Sequence, residues 1–411
     1  MKKYTAEELT TLADKHLVHN YGYPPGVVFR EGKGCRLTDV NGKEYLDFMS
    51  CYSALNVGSG HPTIMEAAKN QLARGLTALP RTFLQEEIIL FVKELAEFTG
   101  MDMVLPMNSG TEGVETAMKI ARKWGYTQKG IPEGKAEIIF CANNFHGRSI
   151  SVISASTIPQ YYDHFGPLLP GIVIIPFGDA IDFRRAINKN TAAIIVEPVQ
   201  AEGGIIVPPD GYMQDLRKIC DKEKVLLIAD EVQTGFARTG QMFGCDYDNV
   251  KPDIYVLGKA LGGGFPVSAV VGTKEVMSVM GPGDHGSTFG GNPFACHVAR
   301  TAMKVIKEEE LDKRALQLGA YFRAGLIDID LKYPGVIKEI RGRGLLIGVE
   351  MNEKGPRAKE VCTELMKKGL LTKETRDYVL RFSPALVITE QELNEGLRII
   401  ESVFAEIDID D

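Results

Sequence analysis

Short, almost wholly apolar runs in the middle of the chain constrain its fold more than any other feature. Apolar and polar residues do not alternate in them, so each strand is expected to be covered by helices on both faces. Helical patterns at 63–75, 85–99 and 111–125 accompany the runs. The chain is therefore predicted to form an α/β layer around a mostly parallel sheet. The predicted strands are 137–142, 172–176, 192–199, 225–230, 254–257 and 268–272.

The two ends of the chain have a different pattern. A helix is predicted from the N-terminus to about Asn20, followed by short strands and turns. From about Leu311 onwards, helices and strands mix in an α+β order, and the last helix begins with a capping box at 389–392. The short N-terminal strands are predicted at 27–29, 35–39 and 44–48, with turns at 32–34 and at the hairpin dipeptide 41–42.

Composition excludes several classes of function. The 411 residues include 47 Lys and Arg against 54 Asp and Glu, a net charge of −7, so no nucleic-acid partner is expected. No run of 18 apolar residues is present, so no membrane span is expected, and the start at Met1 lacks the apolar segment of a secretory signal. Seven cysteines without a CxxC pair favour free thiols in the cytoplasm over disulfides or a metal site.

A carboxylate and a lysine follow two of the apolar runs directly, and ligands of open α/β sheets bind beyond the carboxyl ends of the strands. Asp230 and Glu231 end one run, and because successive side chains point to opposite faces, only one of them is expected to face a ligand. Lys259 lies between the next run and three glycines, where partial burial would lower its pKa and make the amine nucleophilic. Taken singly, a helix cap and a solvated surface lysine are the alternative interpretations.

An anion cradle is predicted at 108–112, just before a helical stretch. Backbone amides there, with the hydroxyls of Ser109 and Thr111, are free to bind a phosphate at the helix N-terminus, with Gly110 between them. An ordinary capping sequence is the alternative. The chain has neither G-x-x-x-x-G-K-[ST] nor G-x-G-x-x-G, so the common nucleotide-binding motifs do not apply.

The loop after the first apolar run contains Phe145, His146 and Arg148. The Phe145 ring is suited to lie flat on a planar ligand, and the guanidinium of Arg148 to bind a carboxylate through two hydrogen bonds. A core phenylalanine and a hydrogen-bonded loop histidine are the alternative interpretations. A glycine-rich stretch at 286–293 adds the hydroxyl of Thr288.

The combination of these features is more specific than any one of them. An aromatic platform, a strand-end acid, a strand-end lysine and an anion cradle together complement an aldehyde-bearing pyridinium phosphate. The lysine would form a Schiff base, the acid would keep the ring nitrogen protonated, and the cradle would hold the phosphate. The residues therefore predict a site for pyridoxal 5′-phosphate.

Longer motifs around these residues resemble those of the class-III, fold-type-I pyridoxal-phosphate aminotransferases, from about His19 to the final helix. Within that class the chain most resembles the ornithine aminotransferases, on Tyr52 and on the segments 371–375 and 380–384. The motifs of the class are Met107-Asn-Ser-Gly-Thr-Glu112, Asn144-Phe-His-Gly-Arg148, Glu197-Pro-Val-Gln-Ala-Glu202, Ala229-Asp-Glu-Val-Gln-Thr-Gly235, Leu257-Gly-Lys-Ala-Leu261 and His285-Gly-Ser-Thr-Phe-Gly-Gly-Asn-Pro293.

The resemblance implies an α/β fold of the fold-type-I transferases, in which a large domain has a mostly parallel central sheet flanked by helices. A small α+β domain is formed by the N- and C-terminal parts. The implied boundaries are residues 1–60 for the N-terminal segment, 61–310 for the large cofactor-binding domain and 311–411 for the C-terminal small domain. A homodimer is implied as well, since Thr288 is expected to reach the phosphate in the neighbouring subunit.

The resemblance also implies the roles of residues at the cofactor. Lys259 is expected to form the Schiff base and to move the proton, and Asp230 to pair with the pyridine nitrogen. Gln233 is expected near the ring oxygen and Phe145 on the face of the ring. The other implied cofactor-binding residues are Ser109, Gly110 and Thr111 at the phosphate, His146, and Thr288 at the neighbouring site.

Substrate binding is implied at the other end of the site. Tyr52 and Arg148 resemble the pair that holds the α-amino-acid end of ornithine and leaves its δ-amine over the cofactor. Arg381 resembles the arginine that binds 2-oxoglutarate, and Glu202 the glutamate that pairs with it while ornithine is bound. The expected reaction is a ping-pong transamination that converts L-ornithine to glutamate-5-semialdehyde and 2-oxoglutarate to glutamate.

Departures from the usual family sequence surround the entrance and the dicarboxylate pocket, at 79–84, Ala201, Arg376 and Ala385. They leave other amine donors open, so an acetylornithine, lysine or 4-aminobutyrate aminotransferase and an amino-acid racemase are alternatives. Tyr52 favours free ornithine over its acetylated form. A non-catalytic protein on the same fold is a further alternative, which the joint presence of lysine, acid and both arginines disfavours.

Overall fold

The computed structural model describes residues 4–24 and 26–407 of the chain. Residues 1–3 and 408–411 lie outside the described residues. The predictions for the start at Met1 and for the outer limits of the segments 1–60 and 311–411 fall there. The strands are β1 (Phe29–Lys33), β2 (Arg36–Asp39), β3 (Glu44–Asp47), β4 (Met103–Met107), β5 (Glu137–Cys141), β6 (Ile172–Ile175), β7 (Thr191–Val196), β8 (Leu226–Asp230), β9 (Ile254–Leu257), β10 (Ser268–Gly272), β11 (Ile337–Arg343), β12 (Leu346–Met351), β13 (Leu370–Leu371), β14 (Lys373–Glu374) and β15 (Val379–Phe382).

Helices connect these strands and cover them. They are α1 (Ala6–His16), α2 (Ser50–Ser53), α3 (Pro62–Ala73), α4 (Glu86–Thr99), α5 (Gly110–Thr127), α6 (Ile150–Ile153), α7 (Pro159–Tyr162), α8 (Ala180–Ala186), α9 (Tyr212–Glu223), α10 (Lys274–Met277), α11 (Pro293–Glu308), α12 (Leu311–Lys332), α13 (Ala358–Lys367) and α14 (Glu390–Phe404). Short 3₁₀ helices cover Gly244–Asp248 and Lys259–Gly262. None of the described helices is long and apolar enough to cross a membrane.

Within the described residues, the central sheet has seven strands in the order β4-β10-β9-β8-β7-β5-β6. The apolar runs predicted as strands all lie in it, although the run predicted to reach residue 199 ends at Val196. Strand β10 is antiparallel to both of its neighbours, while the other neighbouring pairs are parallel. The mostly parallel α/β sheet is confirmed, and the carboxyl ends of β7, β8 and β9 meet at one edge.

Strand β4 was missed by the sequence patterns. Its Pro106 lacks a backbone N–H and argues against a central strand. The strand lies at the edge of the sheet, however, beside β10, and Pro106 stands opposite Ala269 there. An edge position tolerates a proline that an inner position would not.

The apolar runs do not alternate because both faces of the sheet are buried. In β7, Ile194 packs into one hydrophobic core and Ile195 into a second core on the other face. In β8, Leu227 and Ile228 divide between the same two cores. All four side chains are fully buried, so the inner positions of these strands require apolar residues on both faces.

Two smaller sheets contain the ends of the chain. One has the order β1-β2-β3-β13, and its β13 pairs in parallel with β3, so a C-terminal strand completes an N-terminal sheet. The other has the order β11-β12-β15-β14. Both are mixtures of strands with the helices α12, α13 and α14, which is the α+β arrangement predicted for the C-terminal part.

Three N-terminal predictions are wrong in their boundaries, and one of them is the strand predicted at 27–29, which is observed as β1 at Phe29–Lys33. Helix α1 ends at His16 rather than near Asn20, because Leu17 has an extended backbone and its side chain is exposed, with no core to pack against. The turn predicted at 32–34 is shifted, since β1 continues through Lys33, which pairs with Arg36. Gly34 makes the turn instead, with a φ of 57°.

Candidate active site

The acids at the end of β8 divide between two environments. Asp230 lines a cavity at the carboxyl edge of the sheet, where its Oδ2 lies 2.6 Å from Nδ1 of His146. Glu231 points the other way and is fully buried. It accepts the backbone N–H groups of Gly244 at 2.9 Å and Cys245 at 2.8 Å. Of the two carboxylates, Asp230 is therefore the one available to a ligand.

His146 and Glu197 extend this acidic end of the cavity. Burial lowers the pKa of His146, but the hydrogen bond and the charge of Asp230 outweigh it and raise the pKa. Glu197, at the end of β7, accepts the backbone N–H of Phe145 at 3.1 Å. Burial raises the pKa of Glu197 to about 8, and the charges of Asp230 and Glu202 act in the same direction. The cavity thus holds acid–base groups on two neighbouring strands.

Lys259 is the first residue of the 3₁₀ helix that follows β9, and its backbone is left-handed with a φ of 46°. Its Nζ donates a hydrogen bond to Oε1 of Gln233 at 2.6 Å. Burial and the charge of Arg381 together lower the pKa of Lys259 to about 8, against the opposing charges of Glu202 and Asp230. The amine is therefore desolvated and accessible in its neutral form near physiological pH.

The N-terminus of α5 forms another wall of the same cavity. Gly110 and Thr111 line it, and the hydroxyl of Ser109 accepts the backbone N–H of Glu112 in a capping box. The two interpretations of this segment are thus compatible, since the capped helix still presents free amides to the cavity. A Cβ on Gly147 would collide with the side chain of Thr111, so the glycine allows the neighbouring loop to close on the helix end.

The substrate end of the site contains a buried arginine with an acidic partner. Arg381, on β15, is 1% exposed and forms an ion pair with Glu202. Burial raises the pKa of Glu202, but Arg381 and Lys259 outweigh it and lower the pKa. The ring of Tyr52 lies 4.8 Å from the guanidinium carbon of Arg381. The carboxylate of Glu202 binds Nη1 of Arg381, while Nη2 is buried without a hydrogen-bond partner among the described residues.

Five predicted site residues do not line the cavity that the others share, namely Tyr52, Ser109, Arg148, Thr288 and Arg381. The guanidinium of Arg148 stacks on the ring of Tyr161 at 3.5 Å and lies 5.4 Å from that of Phe145. Thr288 lines a surface depression with 78–81 and 286–287. The predicted residues that line the shared cavity are Gly110, Thr111, Phe145, His146, Glu202, Asp230, Gln233 and Lys259.

The observed residues fit pyridoxal phosphate. A desolvated lysine, a buried carboxylate, an aromatic ring and a helix N-terminus line one cavity, and each matches one part of that molecule. The Asp230 carboxylate is held in place by its 2.6 Å contact with Nδ1 of His146. Arrangement and residue types together define a pyridoxal-phosphate enzyme of the aminotransferase kind.

Comparisons with known proteins agree with this assignment. The family model for aminotransferase class-III matches residues 18–404. The ornithine aminotransferase of Geobacillus sp. (strain WCH70) is 48% identical over 399 residues, which cover 97% of this chain and 98% of that protein. The chain therefore belongs to the class-III aminotransferases and is a pyridoxal-phosphate-dependent transaminase.

Solved structures give the same result. The ornithine aminotransferase from Toxoplasma gondii, whose structure shows partial occupancy of pyridoxal phosphate at its active site, has a TM-score of 0.96 and 43% identity. The match covers 98% of this chain and 95% of that one. The acetylornithine aminotransferase from Elizabethkingia anophelis has a TM-score of 0.88 and 40% identity, with 98% and 100% of the two chains covered.

Sequence reasoning missed three residues that the structure places around this site. Glu197 ends an apolar strand as Asp230 does, so the same strand-end rule could have singled it out as a site residue. Tyr161, which stacks on Arg148, and the buried Arg238 gave no local signal. Their positions depend on contacts between segments that are far apart in the sequence.

Proposed function

We propose that this chain transfers the δ-amino group of L-ornithine to 2-oxoglutarate, giving glutamate-5-semialdehyde and glutamate. The ion pair of Glu202 and Arg381 carries the proposal, because one pocket must accept a diamine in the first half-reaction and a dicarboxylate in the second. An arginine that is paired with a carboxylate able to move aside suits both half-reactions. The names of relatives that are 46–48% identical support the same donor.

At the cofactor end, pyridoxal phosphate would supply an electron sink for the substrate carbon that loses a proton. Lys259 would hold the cofactor covalently and carry that proton between substrate and cofactor. Asp230, with His146 behind it, would pair with the ring nitrogen. Phe145 would lie on one face of the ring and Gln233 near its oxygen. Ser109, Gly110 and Thr111 would hold the phosphate.

At the substrate end, Tyr52 and Arg148 hold the α-amino acid group of ornithine. When ornithine is bound in this way, its δ-amine is directed at the cofactor. Glu202 stays paired with Arg381 during this half-reaction, because an unpaired arginine would attract the carboxylate group of ornithine to the wrong position. In the second half-reaction Glu202 moves aside and Arg381 binds the distal carboxylate of 2-oxoglutarate.

The assembly and setting of the enzyme are part of this proposal. Two copies form a homodimer in which Thr288 reaches the neighbouring phosphate site, and its position in a depression at the surface supports this. The parallel pairing of β13 with β3 supports a small domain made of 1–60 and 311–411 around a large domain of 61–310. The seven free cysteines are consistent with the cytoplasm. The reaction would connect arginine metabolism to proline biosynthesis.

A donor comparison tests the function. Purified enzyme is assayed with ornithine, N-acetylornithine, lysine and 4-aminobutyrate, each with 2-oxoglutarate. We expect kcat/KM for ornithine to exceed that for each of the others by at least about tenfold, the scale of one charged hydrogen bond. A preference for N-acetylornithine would instead establish the acetylornithine reaction, which the structural match to an acetylornithine aminotransferase makes the second candidate.

Glu202→Gln tests the role of the acid in the same assay. Without the charge, Arg381 is free to bind a distal carboxylate in either half-reaction, so glutamate should compete with ornithine more strongly. We expect the inhibition constant of glutamate to fall by on the order of tenfold. An unchanged inhibition constant would contradict the proposed exchange of partners at Arg381.

A further inference from the structure

Tyr52 stands on a left-handed turn of the backbone. Residues Ser50, Cys51, Tyr52 and Ser53 have φ values of 41°, 48°, 58° and 70°. None of them is glycine, and a run of left-handed residues with side chains is unfavourable because each Cβ crowds the following carbonyl. Such a conformation persists only where its surroundings hold it, and it is characteristic of functional sites.

The guanidinium of Arg238 is one of the groups that hold this turn. The side chain is fully buried and makes hydrogen bonds from all three of its nitrogens. Its Nη2 donates to Oγ of Ser50 at 3.0 Å and to Oδ1 of Asn56 at 2.6 Å. Its Nη1 donates to the carbonyl oxygens of Leu345 at 3.0 Å and Pro384 at 2.6 Å.

These contacts join the two parts of the substrate end. Ser50 starts the turn that carries Tyr52, and Pro384 follows the strand that carries Arg381. The hydroxyl of Ser50 also donates to the carbonyl oxygen of Ser383 at 2.7 Å, which links the same two segments directly. The planar, rigid guanidinium of Arg238 thus binds both the turn that carries Tyr52 and the segment that follows the strand of Arg381.

We propose that Arg238 is a positioning residue that fixes the distance between the ring of Tyr52 and the guanidinium of Arg381, and thereby the affinity of the site for its substrates. Arg238 acts through the backbone of the turn and of the segment after β15. The inference rests on the proposed function, because it takes Tyr52 and Arg381 as substrate-binding residues.

Arg238→Lys tests the inference in the full-length, cofactor-loaded enzyme. A lysine keeps the charge but cannot bridge Ser50 and Pro384 with a planar fork, so both segments lose their common support. We expect KM for ornithine and for 2-oxoglutarate to rise by on the order of tenfold. The kcat and the visible circular dichroism of the cofactor should stay close to their wild-type values, because the observed hydrogen bonds of Arg238 do not reach Asp230, Gln233 or Lys259.

Arg314→Lys is the matched control. Arg314 is a partly buried arginine that donates to the carbonyl oxygens of Leu386 and Ile388, just beyond the same segment, and its observed hydrogen bonds do not reach the turn. We expect both KM values to stay unchanged in this variant. Equal KM changes in the two variants would show a general effect of loosening the C-terminal segment and would overturn the inference.

Ser50→Ala provides a second test that does not depend on the folding of the Arg238 variant. It removes only the hydroxyl between Arg238 and the carbonyl of Ser383, so KM for ornithine should rise by about three- to fivefold. Wild-type KM values in Ser50→Ala or in Arg238→Lys would overturn the inference.

Tyr52→Leu separates this inference from the proposed function. If it leaves KM for ornithine unchanged, the substrate role of Tyr52 fails and the inference fails with it. If Tyr52→Leu raises KM and Arg238→Lys does not, the inference fails alone.

Discussion

The part of the site that contains Lys259 and Asp230 differs from the part that contains Tyr52 and Arg381 in how its residues are held. The first two follow neighbouring parallel strands of the central sheet, whose faces are both buried. The other two lie on a left-handed turn and on a strand of a separate sheet, joined through Arg238. Under the proposed function, regular structure therefore positions the residues that act on the cofactor, while contacts between distant segments position the residues that bind the substrate.

This difference has a kinetic consequence. Substitutions at the sheet end, the part of the site with Lys259 and Asp230, should act mainly on kcat, because they change groups at the reacting atoms. Substitutions at the other end should act mainly on KM, because they change how the substrate is held. Variants in both parts of the site test this division, and the one with the largest expected effect comes first.

Lys259→Ala is expected to have the largest effect. It removes the covalent attachment of the cofactor and the group that moves the proton, and the loss of acid–base catalysis alone corresponds to about 10²- to 10⁴-fold in kcat. The visible absorbance band of a lysine-bound cofactor should disappear. Lys259→Arg, which keeps a positive charge without a nucleophilic amine, should be equally inactive. An absorbance band that persists in either variant would contradict the role of Lys259.

Asp230→Ala is expected to lower kcat by about 10²- to 10³-fold, the scale of removing one preorganised electrostatic partner. The absorbance of the lysine-bound cofactor should remain, since Lys259 is intact. Glu231→Gln is the control, because Glu231 is the adjacent carboxylate on the opposite side of the strand and binds only its own loop. We expect it to lower the melting temperature and to leave kcat per loaded subunit within about threefold. Equal losses of kcat in the two variants would contradict the division between them.

The pKa of Lys259 links the two ends and gives a smaller, graded effect. Only the neutral amine attacks the cofactor aldehyde, so the rate of cofactor incorporation into the unloaded protein should rise about tenfold per pH unit and level off above pH 8. Because Glu202 raises this pKa, Glu202→Gln should shift the midpoint to lower pH. Stopped-flow absorbance measures both. A midpoint near the ordinary lysine pKa of 10.5 would show that the amine is not desolvated.

Local sequence patterns were sufficient for the sheet end. The non-alternating apolar runs indicate strands covered on both faces, and the rule that ligands bind beyond their carboxyl ends points to Asp230 and Lys259. The alternation of side chains also predicts that Asp230 and Glu231 point apart, as they do. These inferences need only the neighbours of each residue along the chain.

The same reasoning could not reach the other end without a family resemblance. Nothing in the sequence around Ser50 indicates four left-handed residues, since none of them is glycine. Arg238 lies 188 positions from Ser50 and 146 from Pro384, yet it joins them. A conformation that is held by such long-range hydrogen bonds against local preference is visible only in the folded chain.

The smallest predicted effect concerns Tyr161, whose ring stacks on the guanidinium of Arg148 at 3.5 Å. A cation–π contact that is partly solvated contributes about 0.5–1 kcal/mol, so Tyr161→Leu should raise KM for ornithine by about two- to fivefold and leave kcat unchanged. Tyr161→Phe keeps the ring and should keep the wild-type KM. If Tyr161→Leu lowered kcat instead, Arg148 would act on the chemistry rather than on binding, and the two parts of the site would not divide as proposed.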